Sequence, residues 1–274
     1  MSITYYVDYP CPVKEAIKPG RMLRLLYARE RANEAMNRAR RGEAQTQPQD
    51  VKVSLSLRDD TGCKELRTLS AADIYGQYAA LENLADHCRT CRARIEPQSF
   101  GCRSKLDFPI SFKAEAFLMG LIHAKDGDPA PTLLCNYLES NGMAGNQTAD
   151  MRKLPGVFFE SDKPLVRRFA DGRRLSVNQL IELLFLTGQI TPRHGRLLLG
   201  LLGLYAGNLP LDRGLYSLPN LFVVEKEENG MVTSRAGLNL SENIQDDRST
   251  KQIQNFFGAL LIGTELGCDT WVKM

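Results

Sequence analysis

Val51-Lys52-Val53-Ser54-Leu55-Ser56-Leu57-Arg58 alternates apolar and polar at every step, the period of a strand with one buried and one wetted face. Helical patterns flank it on both sides. From Arg21 to Arg41, after Pro19-Gly20, residues Met22, Leu25, Ala32, Met36 and Ala39 fall on one side of a helical wheel. From Ser70 to Ala85 the inner face is Ile74, Tyr78, Leu81 and Ala85, with Ser70 placed to cap the first turn and Asp73 at the positive helix end. Strand and helix patterns alternate with no internal repeat, so the expected fold class is α+β.

Working outward, Ile3 to Val7 reads as a first strand, closed by Tyr9-Pro10-Cys11-Pro12. A short strand is expected over Leu106–Ile110, then helices over Phe112–Ala124 and Pro131–Ser140. Small turn-forming residues after Asn141 mark a boundary between an α+β region, 1–142, and a mainly helical region, 151–274. In the second region Ser176 and Gln179 have capping-box spacing ahead of Leu180–Leu186, and Gly188 is a stop. Thr191-Pro192 opens another helix to Ala206, and the two are expected to form an antiparallel, leucine-rich hairpin of helices. Glu228-Asn229-Gly230 signals a β-hairpin turn, Glu242–Ile262 a last helix, and Thr270–Val272 a closing strand.

The cysteines carry the sharpest chemical signal. Cys88-Arg89-Thr90-Cys91 has the gap that turns two thiolates toward one point, and Phe100-Gly101-Cys102 brings a third after a glycine suited to a sharp turn. The expected site is a structural zinc knuckle on Cys88, Cys91 and Cys102. Its fourth ligand is Cys11, held between Pro10 and Pro12, with Cys63 and His87 as alternatives. Arg89, Arg92 and Arg94 suit the negative charge of such a complex. A redox role is disfavoured, because the pair follows a helix and faces the wrong end of its dipole. Seven cysteines with no apolar leader point to thiols and metal in a cytoplasmic protein rather than a disulfide framework.

Net charge is +3, but residues 14–41 hold nine basic side chains against Glu15, Glu30 and Glu34, so the basic character is local. Arg24, Arg31 and Arg38 recur every seven residues as a stripe that could track phosphates, or face solvent or a protein partner. Aromatic platforms for base stacking are missing there apart from Tyr27. The apolar stretch Leu197–Ala206 is about half the roughly 20 residues of a membrane span, so no membrane partner is expected.

Only three histidines are present, which leaves little for acid–base or hydrolytic metal chemistry, and His123 and His194 sit in helical patterns. The sequence contains no phosphate-binding glycine loop, zinc-protease helix or nucleophile elbow. These features together suggest a non-enzymatic, zinc-stabilised interaction or scaffold subunit of an intracellular multi-protein assembly, with other protein subunits as partners. The alternative is a nucleic-acid-binding protein using the basic helix 21–41. A third reading is an enzyme of unrecognised type, for which Glu160, Asp162 and His194 would line the pocket.

Overall fold

The computed structural model describes residues 1–42, 45–58, 64–122, 129–204, 238, 240 and 245–274. The expected turn at Glu228-Asn229-Gly230, Cys63 and His123 lie outside the described residues. The fold is mixed α and β, and the chain forms two compact units. The hairpin unit is Pro10–Arg92, and the sheet unit joins Met1–Tyr9 to Ala93–Met274. Their limits fall near Tyr9 and Arg92, and both sides of the 141–150 stretch belong to the sheet unit.

In the hairpin unit, helix α1 (Pro12–Ala16) leads into α2 (Pro19–Gly42), whose buried residues Met22, Leu26, Ala28, Ala32 and Met36 form one stripe. The stripe packs on strand β2 (Lys52–Arg58), which pairs antiparallel with β3 (Lys64–Ser70). Val53 and Leu55 point inward beside Ala32, Met36, Ala71 and Ile74, as the strict alternation of β2 requires. β3 carries no such signal. Leu66 and Leu69 are an odd number of residues apart and so face opposite sides, leaving Leu66 75% exposed. Helix α3 (Ala71–Glu82) starts at a reciprocal capping box: Asp73 N–H donates to Ser70 Oγ at 3.1 Å and Ser70 N–H to Asp73 Oδ2 at 3.3 Å.

The sheet unit is built on four antiparallel strands in the order β4 (Arg103–Asp107), β1 (Ser2–Val7), β8 (Thr270–Lys273) and β7 (Gln189–Ile190). Tyr5 of β1 lies opposite Ser104 on one side and Val272 on the other, so the two ends of the chain are strand neighbours. Helix α9 (Arg248–Leu266) covers the sheet, entered through Asp247, whose Oδ1 accepts Thr250 N–H at 2.8 Å, and closed by Gly267 at φ +67°. Phe256 of α9 centres the core, its ring 5.1 Å from Tyr5 and 4.6 Å from Phe185.

The remaining helices of this unit are α4 (Phe112–Gly120), α5 (Ala130–Ser140), α6 (Asn146–Arg152), α7 (Val177–Phe185) and α8 (Pro192–Leu201). A short hairpin of β5 (Val166–Arg168) and β6 (Arg174–Ser176) precedes α7. The Ser176–Gln179 capping box and the Thr191 cap both form as expected. The expected pairing of the two leucine-rich helices does not. Gly188, at φ +83°, redirects the chain, β7 joins the sheet edge, and α8 packs on α5 and α9 while α7 packs on α4 and α6. Among the described residues no helix is long and apolar enough to cross a membrane.

Candidate functional site

The richest polar arrangement lies where α4, α6 and α7 meet inside the sheet unit. Helix α6 has only seven residues, far too few to hold itself in water. Side chains of α7, one turn apart, pin it at both ends. At its start, Glu182 Oε2 accepts Gly145 N–H at 2.7 Å, and Oε1 accepts Gln147 N–H at 2.6 Å and Thr148 N–H at 3.3 Å. A carboxylate here satisfies the unpaired amides of the first turn and meets the positive end of the helix. At its finish, Arg152 Nε donates to Asn178 Oδ1 at 2.7 Å. Gly145 permits the close approach, being at φ +81°, where a Cβ would sit 2.9 Å from Asn178 Cβ.

Arg152 is the hub of this arrangement. Its Nη2 is ion-paired with Glu115 of α4, and both side chains are almost wholly buried, at 3% and 0% exposure. Nη1 donates to the Ser161 carbonyl at 2.6 Å, and the guanidinium lies 4.1 Å from the centre of the Phe159 ring. Burial pushes the Glu115 carboxyl up, against the Arg152 hydrogen bond and charge that pull it down, while Glu160 adds to the rise. A buried ion pair fixes geometry through its directed hydrogen bonds. Breaking it would leave the other charge stranded. Glu115 Oε2 and Thr148 Oγ1 are buried without a protein hydrogen bond among the described residues.

This hub closes a loop. Arg152 and Ser161 stand at the two ends of residues 153–160, and their bond brings the ends together, as in a compact Ω-loop. Within the loop Leu154-Pro155-Gly156-Val157 makes a tight turn. Val157 N–H donates to Leu154 O at 3.2 Å, and Gly156 supplies φ +68° after a proline, the residue preferences of a type II turn. Phe158 and Phe159 anchor the far side, 8% and 2% exposed, with Phe158 edge-on to Phe108 at 5.0 Å. Ile110 N–H donates to Phe158 O at 2.8 Å and Glu160 N–H to Ile110 O at 3.0 Å, so the loop is also tied to the entry of α4. The tip, by contrast, shows apolar side chains to solvent: Leu154 is 53% and Val157 40% exposed. Phe112, at the start of α4, is 48% exposed, and its N–H donates to Glu160 Oε2 at 3.0 Å.

The cysteines expected to hold zinc fall in both units. Cys11 is the half-buried residue ahead of α1, Cys88 ends a 3-10 turn (Ala85–Cys88), and Cys91 follows it, all in the hairpin unit, while Cys102 belongs to the sheet unit. Among the described residues no three His, Cys, Asp or Glu side chains form a group that could hold a metal ion, so the expected knuckle is not shown. Arg89 and Cys91 donate their N–H groups to the carbonyls of Asp86 (3.1 Å) and Cys88 (3.4 Å), continuing helical-type turns through the pair. His87 is exposed on the same turn. The sharp turn expected before Cys102 does form. Ile95 and Glu96 donate to the Gly101 carbonyl at 2.6 and 2.9 Å, and a Cβ on Gly101 would lie 2.1 Å from Glu96 O. The described cysteines form no disulfide among themselves.

The arginine stripe of α2 is partly engaged within its own unit. Arg31 pairs with Glu34 at 2.8 Å, and Arg38 Nε donates to the Glu34 carbonyl at 3.4 Å. Arg24 is half-buried. Arg29 pairs with Glu82 at 3.1 Å and lies 4.0 Å from the centre of the Tyr78 ring. Of the acidic and histidine residues weighed for catalysis, Glu160 accepts the Phe112 amide, and the N–H of His194 donates to Thr191 Oγ1 at 3.3 Å.

Sequence reasoning missed the Glu115–Arg152 hub and its loop. The hub's partners are 37 residues apart and leave no local pattern. The loop had one signal, a Pro-Gly pair flanked by exposed-to-be aliphatics. No protein-family model matches this chain, and no curated protein or solved structure matches it significantly.

Proposed function

We propose that the protein is a non-enzymatic interaction subunit that presents the Leu154–Val157 turn to an apolar pocket on a partner protein. The observation that carries this reading is an exposed aliphatic pair on a turn held from behind by buried Arg152, Phe158 and Phe159. Preorganisation of this kind lowers the ordering cost of binding, and an apolar residue entering a pocket is the usual centre of an interface.

The test is co-purification of the full chain from its native host, comparing wild type with Leu154→Asp/Val157→Asp. Both sites are exposed, so the variant should fold with an unchanged thermal midpoint. Partner retention should fall about tenfold or more, as loss of a central apolar contact requires. Full retention of every partner would reject the reading. If retention instead tracks Arg24→Glu/Arg31→Glu and is released by salt with nucleic acid, the basic-helix alternative holds.

A structural zinc on the Cys88–Cys91 pair belongs to this proposal as a fastener, supported by the spacing of the two thiols. Metal analysis of the same sample decides it. One zinc per chain, lost in Cys88→Ser/Cys91→Ser, is expected, and a folded, zinc-free protein discards the fastener without touching the docking turn.

A further inference from the structure

Resting on the docking turn just proposed, we infer that Arg152 is its positioning residue, a buried latch that holds residues 153–160 in the presenting form. Three anchors converge on one guanidinium. Glu115 on α4 supplies the counter-charge, Asn178 on α7 accepts at Nε, and the Ser161 carbonyl at the loop's far end accepts at Nη1. Phe159, inside the loop, stacks against the same group. A single side chain therefore joins the start of the loop to its end and ties both to two helices.

The planar fork of arginine is what makes this workable. It donates in three directions at once from fixed geometry, whereas a lysine ammonium would keep the charge and lose the directed bonds to Asn178 and Ser161 together. The loop has few other ties. Between Lys153 and Val157 every residue is exposed, and the exposed Lys153–Asp150 pair, 2.7 Å, adds little rigidity. Release of Arg152 would leave the loop held by Phe158, Phe159, the Ile110 bonds, the Phe112–Glu160 bond and the backbone turn from Lys153 and Leu154 back to α6. The turn would then open without unfolding β1 or β8.

Hydrogen exchange on the full-length chain tests this without a partner. In Arg152→Gln the amides of Val157, Glu160 and Ile110 should exchange about tenfold faster or more, the effect of losing charge-assisted bonds in a locally opening segment. Amides of β1 and β8 should stay within about twofold of wild type, and Arg152→Lys should fall between the two proteins. Trypsin should cleave after Lys153 faster in the same order. Unchanged loop exchange would overturn the inference, and so would equal acceleration in β1 and β8, which would make Arg152 an ordinary core support. Should Arg152→Gln fail to fold, wild-type exchange in dilute urea takes its place. Ile110 and Glu160 must then open together ahead of β1 and β8, and opening only with the whole unit overturns the latch. A working latch with no partner retained rejects the docking turn alone, whereas a retained partner with an unresponsive loop rejects the latch alone.

Discussion

Glu182→Gln should destabilise the sheet unit by about 2–3 kcal/mol, because one carboxylate serves three amides at the start of α6. If the remaining amide oxygen keeps Gln147 and Thr148, the new NH2 group faces the N–H of Gly145, previously bonded at 2.7 Å. One charge-assisted bond of roughly 1.5–3 kcal/mol is then lost, a buried donor is orphaned, and the favourable charge at the helix end, about 0.3–1 kcal/mol, disappears. Relief of the carboxylate's own desolvation offsets part of this, which keeps the total near the lower sum. Trp271 is the single tryptophan of the chain and lies in β8, so its fluorescence reads the sheet unit without interference from the hairpin unit. Urea unfolding followed at Trp271 should show a lower midpoint with an unchanged slope, and a thermal midpoint lower by about 4–12 °C. Far-ultraviolet circular dichroism checks that the variant is folded. A midpoint within error of wild type would refute the claim that α6 is held from α7, and with it the rigid base assigned to the docking turn.

Two glycines should respond in opposite senses. Gly145→Ala forces a Cβ into left-handed backbone 2.9 Å from Asn178 Cβ and should cost about 2–3 kcal/mol at the Trp271 transition. Gly76→Ala, inside α3 with no heavy atom within 4 Å of the added carbon, should instead stabilise the hairpin unit by about 0.5–1 kcal/mol, measured by calorimetry. Asp107 should carry acid sensitivity. Burial would raise its carboxyl, but Gln252, Lys105 and Arg248 together hold it below the usual carboxylate range. A depressed carboxyl lends stability above its unfolded value and loses it as pH falls through the folded value. Asp107→Asn should therefore be less stable than wild type at pH 7, with the difference closing below about pH 4, and a gap that persists there would contradict the assignment.

Local signals carried far where the physics is local. The alternation of Val51–Arg58 and the caps at Ser70, Ser176 and Thr191 each depend on residues within one or two turns, and each appears in the structure as expected. The buried stripe of α2 keeps Met22, Ala32 and Met36 but takes Leu26 and Ala28 where Leu25 and Ala39 were expected. β3 was illegible because Leu66 and Leu69 break the period of two, and a strand at the edge of a two-stranded sheet can leave an apolar side chain in water.

The sequence alone determined the alternating strand Val51–Arg58, the helix caps at Ser70, Ser176 and Thr191 and the local charge of the basic helix, since propensity, capping and periodicity act over a few residues. Tertiary structure alone decided the rest. It paired β1 with β8 across the whole chain, moved the second leucine-rich helix onto α5 and α9, and set Glu115 against Arg152 across 37 residues. For Glu115 and Arg152 the reason is that a buried charge is tolerated only where a partner from another element meets it, and no spacing along the chain records that meeting.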